Sequence, residues 1–232
     1  MQQKIFITGT DTEVGKTFFT VALIRALRNA KQTVMAFKPV AAGCQQQDGQ
    51  LKNEDALAII DELMQGQAES LAYSTVNPIA LEPPIAPHIA AELINQQLSV
   101  DYLQQHCPLS RFAQQFILVE GAGGWLVPLN QRQTLADYAQ AEKLDIILVV
   151  GLKLGCINHA MLTYENIRAR GLNVIGWVAN HIDPQMDNQA ENIQTLKNQL
   201  NCPLIAEIPY FDQVNPIGEA SKCVRIEHIL SS

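Results

Sequence analysis

A glycine, a lysine and a threonine near the start of the chain could together bind a phosphate group. Gly15, Lys16 and Thr17 follow a short apolar segment, residues 4–8, and precede a segment in which apolar residues recur at helical spacing. Backbone N–H groups and the dipole at a helix start attract an anion, lysine adds a positive charge, and the threonine hydroxyl can ligate Mg²⁺. The order of strand, loop and helix therefore predicts a phosphate-binding loop, or P-loop.

This loop is one residue longer than the common form of the motif. Gly9 and Gly15 enclose five residues, whereas the usual pattern is G-x-x-x-x-G-K-[ST]. The strand before the loop and the helix after it still favour the binding of a nucleotide phosphate. The alternative is a glycine turn that leaves Lys16 and Thr17 exposed.

Two charged residues stand at the ends of other predicted strands. Lys38 follows the strand at 33–37, and Glu120 ends the strand at 116–120, just before a glycine-rich run. The carboxyl ends of parallel strands form the edge where α/β sheets bind ligands. Lys38 could reach that edge or be a solvated lysine, with equal support. Glu120 resembles a Walker-B acid that reaches Mg²⁺ directly or through water, and the glycines after it would let the backbone approach the γ-phosphate.

A third acid stands at the start of a predicted helix. Asn53 is a typical N-cap, and Glu54 is explained as an acid in the first turn. Asp55 could instead point into the site as a carboxylate ligand of a metal.

The elements that must position these residues alternate along the chain. Near-continuous apolar strands between helices predict an α/β fold, a P-loop NTPase-like parallel sheet with helices on both faces. Residues 45–50 are predicted to be a polar surface loop, residues 73–87 a proline-rich extended loop or lid edge, and residues 1–232 a single domain. The predicted strands are 4–8, 33–37, 116–120, 145–150, 173–179 and 204–208, and the predicted helices are 16–29, 53–64, 87–96, 99–105, 135–142, 157–170, 186–200 and 224–230.

Composition excludes several classes of function. The 232 residues are 47% hydrophobic and carry a net charge of −7, which argues against a surface for nucleic acid or anionic membranes. The five cysteines are scattered and form no C-x-x-C pair, so we expect reduced thiols and no zinc site. With no apolar run of membrane-spanning length and no room for a signal peptide before the first strand, we expect a cytoplasmic protein.

Four segments together resemble one enzyme family. They read TDTEVGKT at 10–17, KPV at 38–40, VEGAGGW at 119–125 and GLKLGCINHAML at 151–162, and they are similar to dethiobiotin synthetases over essentially the whole chain. The likeness is weakest at 45–50 and after Phe211, and the five-residue loop is this family's own form. The resemblance implies that ATP, Mg²⁺, CO₂ and 7,8-diaminononanoate react through a carbamate and a carbamic–phosphoric mixed anhydride to dethiobiotin, ADP and phosphate.

The resemblance also implies roles for individual residues. The magnesium-associated positions are Thr17, Asp55 and Glu120. The positions that face substrate and carbamate are Thr12, Lys16 and Lys38, with Glu13 beside them in the catalytic group. The nucleotide-binding positions are Glu13, Val14, Gly15, Lys16, Thr17, Asp55, Glu120, Gly121, Ala122 and Gly123 for the phosphates and their metal, and Asn180, Pro209, Tyr210 and Phe211 for the base.

A homodimer is implied as well, because the family loop that matches residues 154–158, from Leu154 to Asn158, touches the partner's substrate carboxylate.

Two departures limit the likeness. Ala42 stands where the family has a serine hydroxyl, a loss of about 0.5–1.5 kcal/mol of hydrogen bonding, or roughly tenfold weaker binding. After Phe211 the last adenine contact has no match.

Two other classes of protein share parts of this pattern. A cobyrinic-acid-type amide synthetase carries an appended glutaminase domain, for which a chain of this length has no room. A MinD- or ParA-like ATPase switch has a second lysine early in its loop and a membrane or DNA surface. Here the early positions are Thr10 and Asp11, and the chain is acidic.

Overall fold

The computed structural model describes residues 2–67, 70–212 and 216–230. Its strands are β1 Gln3–Gly9, β2 Val34–Phe37, β3 Val40–Ala41, β4 Gln45–Gln47, β5 Gln50–Lys52, β6 Ile79–Ala80, β7 Phe116–Glu120, β8 Asp145–Gly151, β9 Val174–Asn180 and β10 Leu204–Ile208. Its α-helices are α1 Lys16–Asn29, α2 Glu54–Met64, α3 Tyr73–Val76, α4 Pro87–Leu93, α5 Val100–His106, α6 Leu135–Ala141, α7 Cys156–Ala169, α8 Gln189–Gln199, α9 Ile217–Lys222 and α10 Glu227–Leu230.

The main sheet is parallel, as the apolar strands predict. Its strand order is β10-β9-β8-β1-β7-β2, with every adjacent pair parallel. All residues of β7 and β9 are buried. Since successive side chains of a strand point to opposite faces, helices must cover both faces of the sheet. The predicted P-loop NTPase-like α/β architecture is confirmed.

The central position of β1 brings three loops together. Ile7 pairs with Glu120 of β7 on one side and with Ile147 of β8 on the other. Because all three strands are parallel, the loops after β1, β7 and β8 leave the same edge of the sheet. That edge receives the P-loop, the glycine-rich run and residues 152–155.

Residues 45–50 are exposed, as predicted, but the prediction that they form a loop is wrong. Strands β4 and β5 form an antiparallel hairpin in which Gln45 pairs with Lys52. The two linking residues, Asp48 and Gly49, have φ values of 53° and 77°, which suits an Asp-Gly turn of the kind that closes two-residue hairpins. The Asp-Gly pair was a hairpin signal within a segment whose glutamines suggested only a polar surface.

The proline-rich segment at 73–87, predicted to be an extended loop or lid edge, contains a short helix and a short strand. Residues 73–76 form α3, and β6 pairs in parallel with β3, Val40 lying opposite Ile79. The prolines fall beside these elements, with Pro78 before β6 and Pro83 and Pro84 after it, so they remove no ladder hydrogen bond.

Smaller differences concern helix ends near the carboxyl terminus and elsewhere. Helix α4 ends at Leu93, α8 begins at Gln189, and α10 begins at Glu227, each shorter than predicted. Helix α9 was not predicted, because the proline and glycine around it interrupt the apolar period. In the described ranges, no helix combines the length and apolarity needed to cross a membrane.

Candidate functional site

The P-loop wraps around the amine of Lys16. Lys16 is 7% exposed, and its Nζ donates a hydrogen bond to the backbone carbonyl of Asp11 at 3.0 Å. Gly15, which caps α1, has a φ of 87°, and a Cβ added there would lie 2.1 Å from Asn180 Nδ2. Only glycine fits at this position, for reasons of both backbone conformation and space.

A charge cluster of four residues lies beside the P-loop, made of Thr17, Lys38, Asp55 and Glu120. The Lys38 amine is 2.7 Å from Glu120 Oε1 and 2.8 Å from Asp55 Oδ2. The Thr17 hydroxyl donates to the same Glu120 oxygen at 2.6 Å. The structure thus brings together residues that the sequence separates by up to about a hundred positions.

Burial and neighbouring charges set the protonation of this cluster. Burial, and then the nearby charge of Lys38, lower the pKa of Lys16 to about 8. For Lys38, burial lowers the pKa, but the carboxylates of Glu120 and Asp55 outweigh it and leave the pKa above its usual value. Burial raises the pKa of Asp55, yet Lys38 holds it below its ordinary range. Lys38 is therefore a permanent cation, and Lys16 is the amine that can lose its proton near neutral pH.

The cluster fits a magnesium ion shared with phosphate groups. Glu120 is fully buried, and its Oε2 has no hydrogen-bond partner among the described residues. A buried carboxylate oxygen without a partner is costly unless a cation meets it. Hydroxyl and carboxylate oxygens are the donors that Mg²⁺ prefers, and it usually takes few of them from the protein. The described part of the chain holds no group of three or more His, Cys, Asp or Glu side chains that could hold a metal ion.

A cavity of about 840 Å³ opens over the P-loop and the charge cluster. Its lining includes the polar residues Lys16, Thr17, Lys38 and Asp55 together with a set of apolar residues. The apolar residues are Ala41, Ala42, Pro84, Ile85, Ala86, Pro87, Ala122, Leu126, Val127 and Pro128. A ligand with a charged end and an aliphatic chain matches such a cavity.

Most predicted phosphate and substrate residues line this cavity. They are Thr12, Glu13, Gly15, Lys16, Thr17, Lys38, Asp55, Ala122 and Gly123. Two predicted residues lie behind its wall, where Val14 is fully buried and Gly121 packs so closely that a Cβ would lie 2.9 Å from Phe6. Glu120 is the buried floor of the charge cluster.

The predicted base-binding residues lie away from the cavity. Asn180 ends β9, is 5% exposed, and donates from Nδ2 to the Val14 carbonyl at 2.9 Å. Tyr210 is 49% exposed, and the ring of Phe211 lies 6.0 Å from that of Phe18 in α1. Asn180 therefore lies beside the P-loop, and Phe211 lies beside the first turn of α1. Contact of the predicted residues with a base stays a prediction.

Sequence reasoning missed a link between the P-loop and the loop after β8. Lys153 Nζ is 2.8 Å from Asp11 Oδ2, and the other oxygen of Asp11 accepts the Thr12 N–H at 2.8 Å. This ion pair lowers the pKa of Asp11. The pairing could be found only from the strand order, because β1 and β8 are neighbours in the sheet but far apart in the chain.

A second missed group supports the charge cluster from behind. Asn53 caps α2 as predicted, its Oδ1 accepting the Asp55 N–H at 3.1 Å. In addition, the Asn53 N–H donates to the Tyr73 hydroxyl at 2.7 Å, and this hydroxyl donates to Asn77 Oδ1 at 2.7 Å. Tyr73 and Asn77 belong to the segment predicted as a lid edge, so no sequence signal had assigned them to the site.

Comparison with known proteins agrees with this arrangement. An AAA domain family model matches residues 3–217. Proteins named ATP-dependent dethiobiotin synthetase BioD are 46% identical in Alteromonas mediterranea, over 90% of this chain and 92% of the relative, and 41% identical in Vibrio cholerae, over 99% and 97%.

Solved structures of low identity share the fold. The septum site-determining protein MinD from Pyrococcus horikoshii, complexed with Mg-ADP, has a TM-score of 0.56 and 17% identity, over 100% of this chain and 90% of its own. A ParA family ATPase from Chlorobium tepidum has a TM-score of 0.53 and 12% identity, over 100% and 94%. These likenesses concern the fold alone. On the identities over nearly the full length of both chains, together with the P-loop and its charge cluster, the chain is a ligase that forms C–N bonds and belongs to the ATP-dependent dethiobiotin synthetase family.

Proposed function

We propose that this protein closes the ureido ring of dethiobiotin from 7,8-diaminononanoate, CO₂ and ATP. The observation that carries the proposal is that one cavity is lined both by Lys16, Thr17 and Lys38 and by apolar residues that include Ile85 and Leu126. We place a phosphate group and the amines of the substrate beside the charged and hydroxyl residues of this lining. The aliphatic chain of the diamine is placed against its apolar residues.

The chemistry proceeds in three steps. One amine attacks CO₂ and loses a proton, giving a carbamate. A carbamate oxygen attacks the γ-phosphorus of ATP, and the bond to the ADP oxygen breaks, giving a carbamic–phosphoric mixed anhydride. The second amine attacks the carbamoyl carbon, and phosphate leaves with the former carbamate oxygen as a second proton is released.

The residues of the cavity suit these steps because two anions must approach each other. Lys16 places its charge among the phosphates, and Lys38, a permanent cation, faces the carbamate together with Thr12 and Glu13. Bound Mg²⁺, held by Thr17, Asp55 and Glu120, would supply further neutralisation of phosphate charge. Ala42 contributes no hydroxyl to the carbamate, so the lysines must bear more of its binding.

The remaining assignments belong to the same proposal. Asn180 and the segment Pro209, Tyr210 and Phe211 would contact the adenine, supported by their place beside the first turn of α1. A homodimer would bring residues 154–158 to the partner's substrate, supported by a Leu154 side chain that is 95% exposed. Five free cysteines suit a reducing cytoplasm, and residues 1–232 would act as a single domain.

The test is formation of ADP in the presence of each substrate combination. We expect ADP only when 7,8-diaminononanoate and bicarbonate are both present, and ¹⁸O from labelled bicarbonate in the released phosphate. Lys38→Ala should reduce turnover severely, since the carbamate loses its cation. ADP formation that ignores the diamine would instead favour an ATPase switch, and phosphate without label would refute the mixed anhydride.

A further inference from the structure

The residues behind the charge cluster form a closed circuit of polar contacts. Asn77 Nδ2 donates to the backbone carbonyl of Lys38 at 2.6 Å, and Asn77 Oδ1 accepts from the Tyr73 hydroxyl at 2.7 Å. The hydroxyl accepts the Asn53 N–H at 2.7 Å, and Asn53 Oδ1 accepts the Asp55 N–H at 3.1 Å. The ion pair of 2.8 Å between Lys38 and Asp55 closes the circuit.

The segment that carries Tyr73 and Asn77 lies along the chain that follows β2. The Lys38 N–H donates to the Val76 carbonyl at 2.9 Å, and β3 continues this contact by pairing with β6. Asn77 is 2% exposed and Asn53 is 7% exposed. Buried polar groups joined in this way resist displacement, because each broken bond leaves a group unsatisfied.

We propose that Tyr73 and Asn77 are positioning residues that fix the distance between Lys38 and Asp55, and so set the magnesium and carbamate side of the cavity. Neither side chain lines the cavity. The hydroxyl of Tyr73 connects the two sides of the circuit. It accepts a hydrogen bond from the N–H of Asn53, the cap of α2, and donates one to Asn77, which in turn donates to the Lys38 carbonyl. Burial raises the pKa of Tyr73 to about 12, so the hydroxyl retains its proton in the working range of pH.

This inference rests on the proposed function for the role of the metal, and it predicts a selective defect. Residues 13–17 of the P-loop are not part of the circuit, so nucleotide affinity without metal should not change. The share of the affinity that depends on Mg²⁺ should fall, because Asp55 loses its fixed position. Outer groups that orient metal ligands typically matter about 10- to 100-fold in metal affinity.

The experiment measures binding of ADP by calorimetry in excess Mg²⁺ and in EDTA. In Tyr73→Phe we expect the Mg²⁺-dependent gain in affinity to be lower by about tenfold, with affinity in EDTA unchanged. Tyr102→Phe is the matched control, because its hydroxyl also forms a hydrogen bond with a side-chain amide, accepting from Gln96 Nε2 at 2.6 Å, and lies outside the site. The control should keep the wild-type gain.

An unchanged gain in Tyr73→Phe, an equal loss with and without metal, or the same loss in Tyr102→Phe would each overturn the proposal. If Tyr73→Phe does not fold, Asn77→Asp decides, because it keeps the acceptor for Tyr73 and the side-chain size but loses the donor to the Lys38 carbonyl. The same fall in the gain is expected there, although an added negative charge alone would raise metal affinity.

The wild type separates this proposal from the function on which it rests. A protein that gains affinity with Mg²⁺ but forms no ADP with diamine and bicarbonate refutes the proposed function alone. A wild type whose ADP affinity ignores Mg²⁺ refutes the metal assignment and the positioning role together.

Discussion

Nucleotide binding should weaken as pH rises through 8, because of the buried amine of Lys16. Burial, with Lys38 nearby, lowers the pKa of Lys16 to about 8 in the nucleotide-free protein. Only the ammonium form attracts phosphate, so bound phosphates must raise this pKa again. The affinity for the nucleotide is then highest well below pH 8 and declines as the pH rises through 8, because a neutral Lys16 must take up a proton when the phosphates bind.

The magnitude follows from the fraction of ammonium. With a pKa of about 8, roughly one-eleventh of the amines carry a proton at pH 9, so the dissociation constant of Mg-ADP should be about tenfold higher than at pH 7, equivalent to about 1.4 kcal/mol. At pH 8, about half a proton should be taken up for each ADP bound. The second pKa of a phosphate monoester is about 6, so its ionisation is nearly complete at pH 7 and the ligand itself adds little in this range.

The assay is calorimetry of Mg-ADP binding from pH 7 to 9, repeated in two buffers of different ionisation enthalpy to count the protons. Lys16→Arg is the control, because a guanidinium keeps its charge throughout and should give a flat profile, at lower affinity. An affinity for the wild type that stays constant over this range, with no proton uptake, would refute the lowered pKa of Lys16 and its contact with phosphate.

Three further substitutions test the geometry. Gly15→Ala should abolish tight Mg-ADP binding, since its Cβ would lie 2.1 Å from Asn180 Nδ2. Gly171→Ala is the control and should affect stability alone, because Gly171 also has a positive φ, 75°, but an added Cβ would meet no neighbouring atom within 4 Å. Equal ADP affinities in the two variants would contradict the steric argument. Glu120→Gln should lower the free energy of unfolding in urea by about 3 kcal/mol, as one partner of a buried ion pair is lost, and should remove the Mg²⁺ dependence of ADP binding; retention of both would refute the charge cluster. Glu62→Gln weakens the ion pair of Glu62 with Arg25 in α1, 2.6 Å apart, in which the Glu62 side chain is buried and the Arg25 side chain is partly exposed. It should cost about 1.5–3 kcal/mol of stability with kcat unchanged, so a large fall in kcat would argue against a purely structural role.

Local chemistry determined the parts of this protein that the sequence predicted correctly. The strand at 116–120 was predicted at its true bounds because four consecutive apolar residues can be buried on both faces of a parallel sheet. Gly15, Lys16 and Thr17 were recognised because phosphate binding needs a fixed order of residue types over a few positions. Asn53 was identified as a helix cap for the same reason.

Contacts between distant segments decided the rest. The pairing of Lys38 with both Asp55 and Glu120, the link from Lys153 to Asp11 and the support from Tyr73 and Asn77 each depend on which strands are neighbours, and residue type alone does not specify that. The Asp-Gly hairpin was predictable in principle, but glutamines on both sides concealed it. The sequence by itself determined the P-loop and the parallel α/β class, because both follow from short-range patterns of apolar, glycine and charged residues. Only the tertiary structure decided which charges meet, because strand order brings segments about a hundred residues apart within hydrogen-bonding distance.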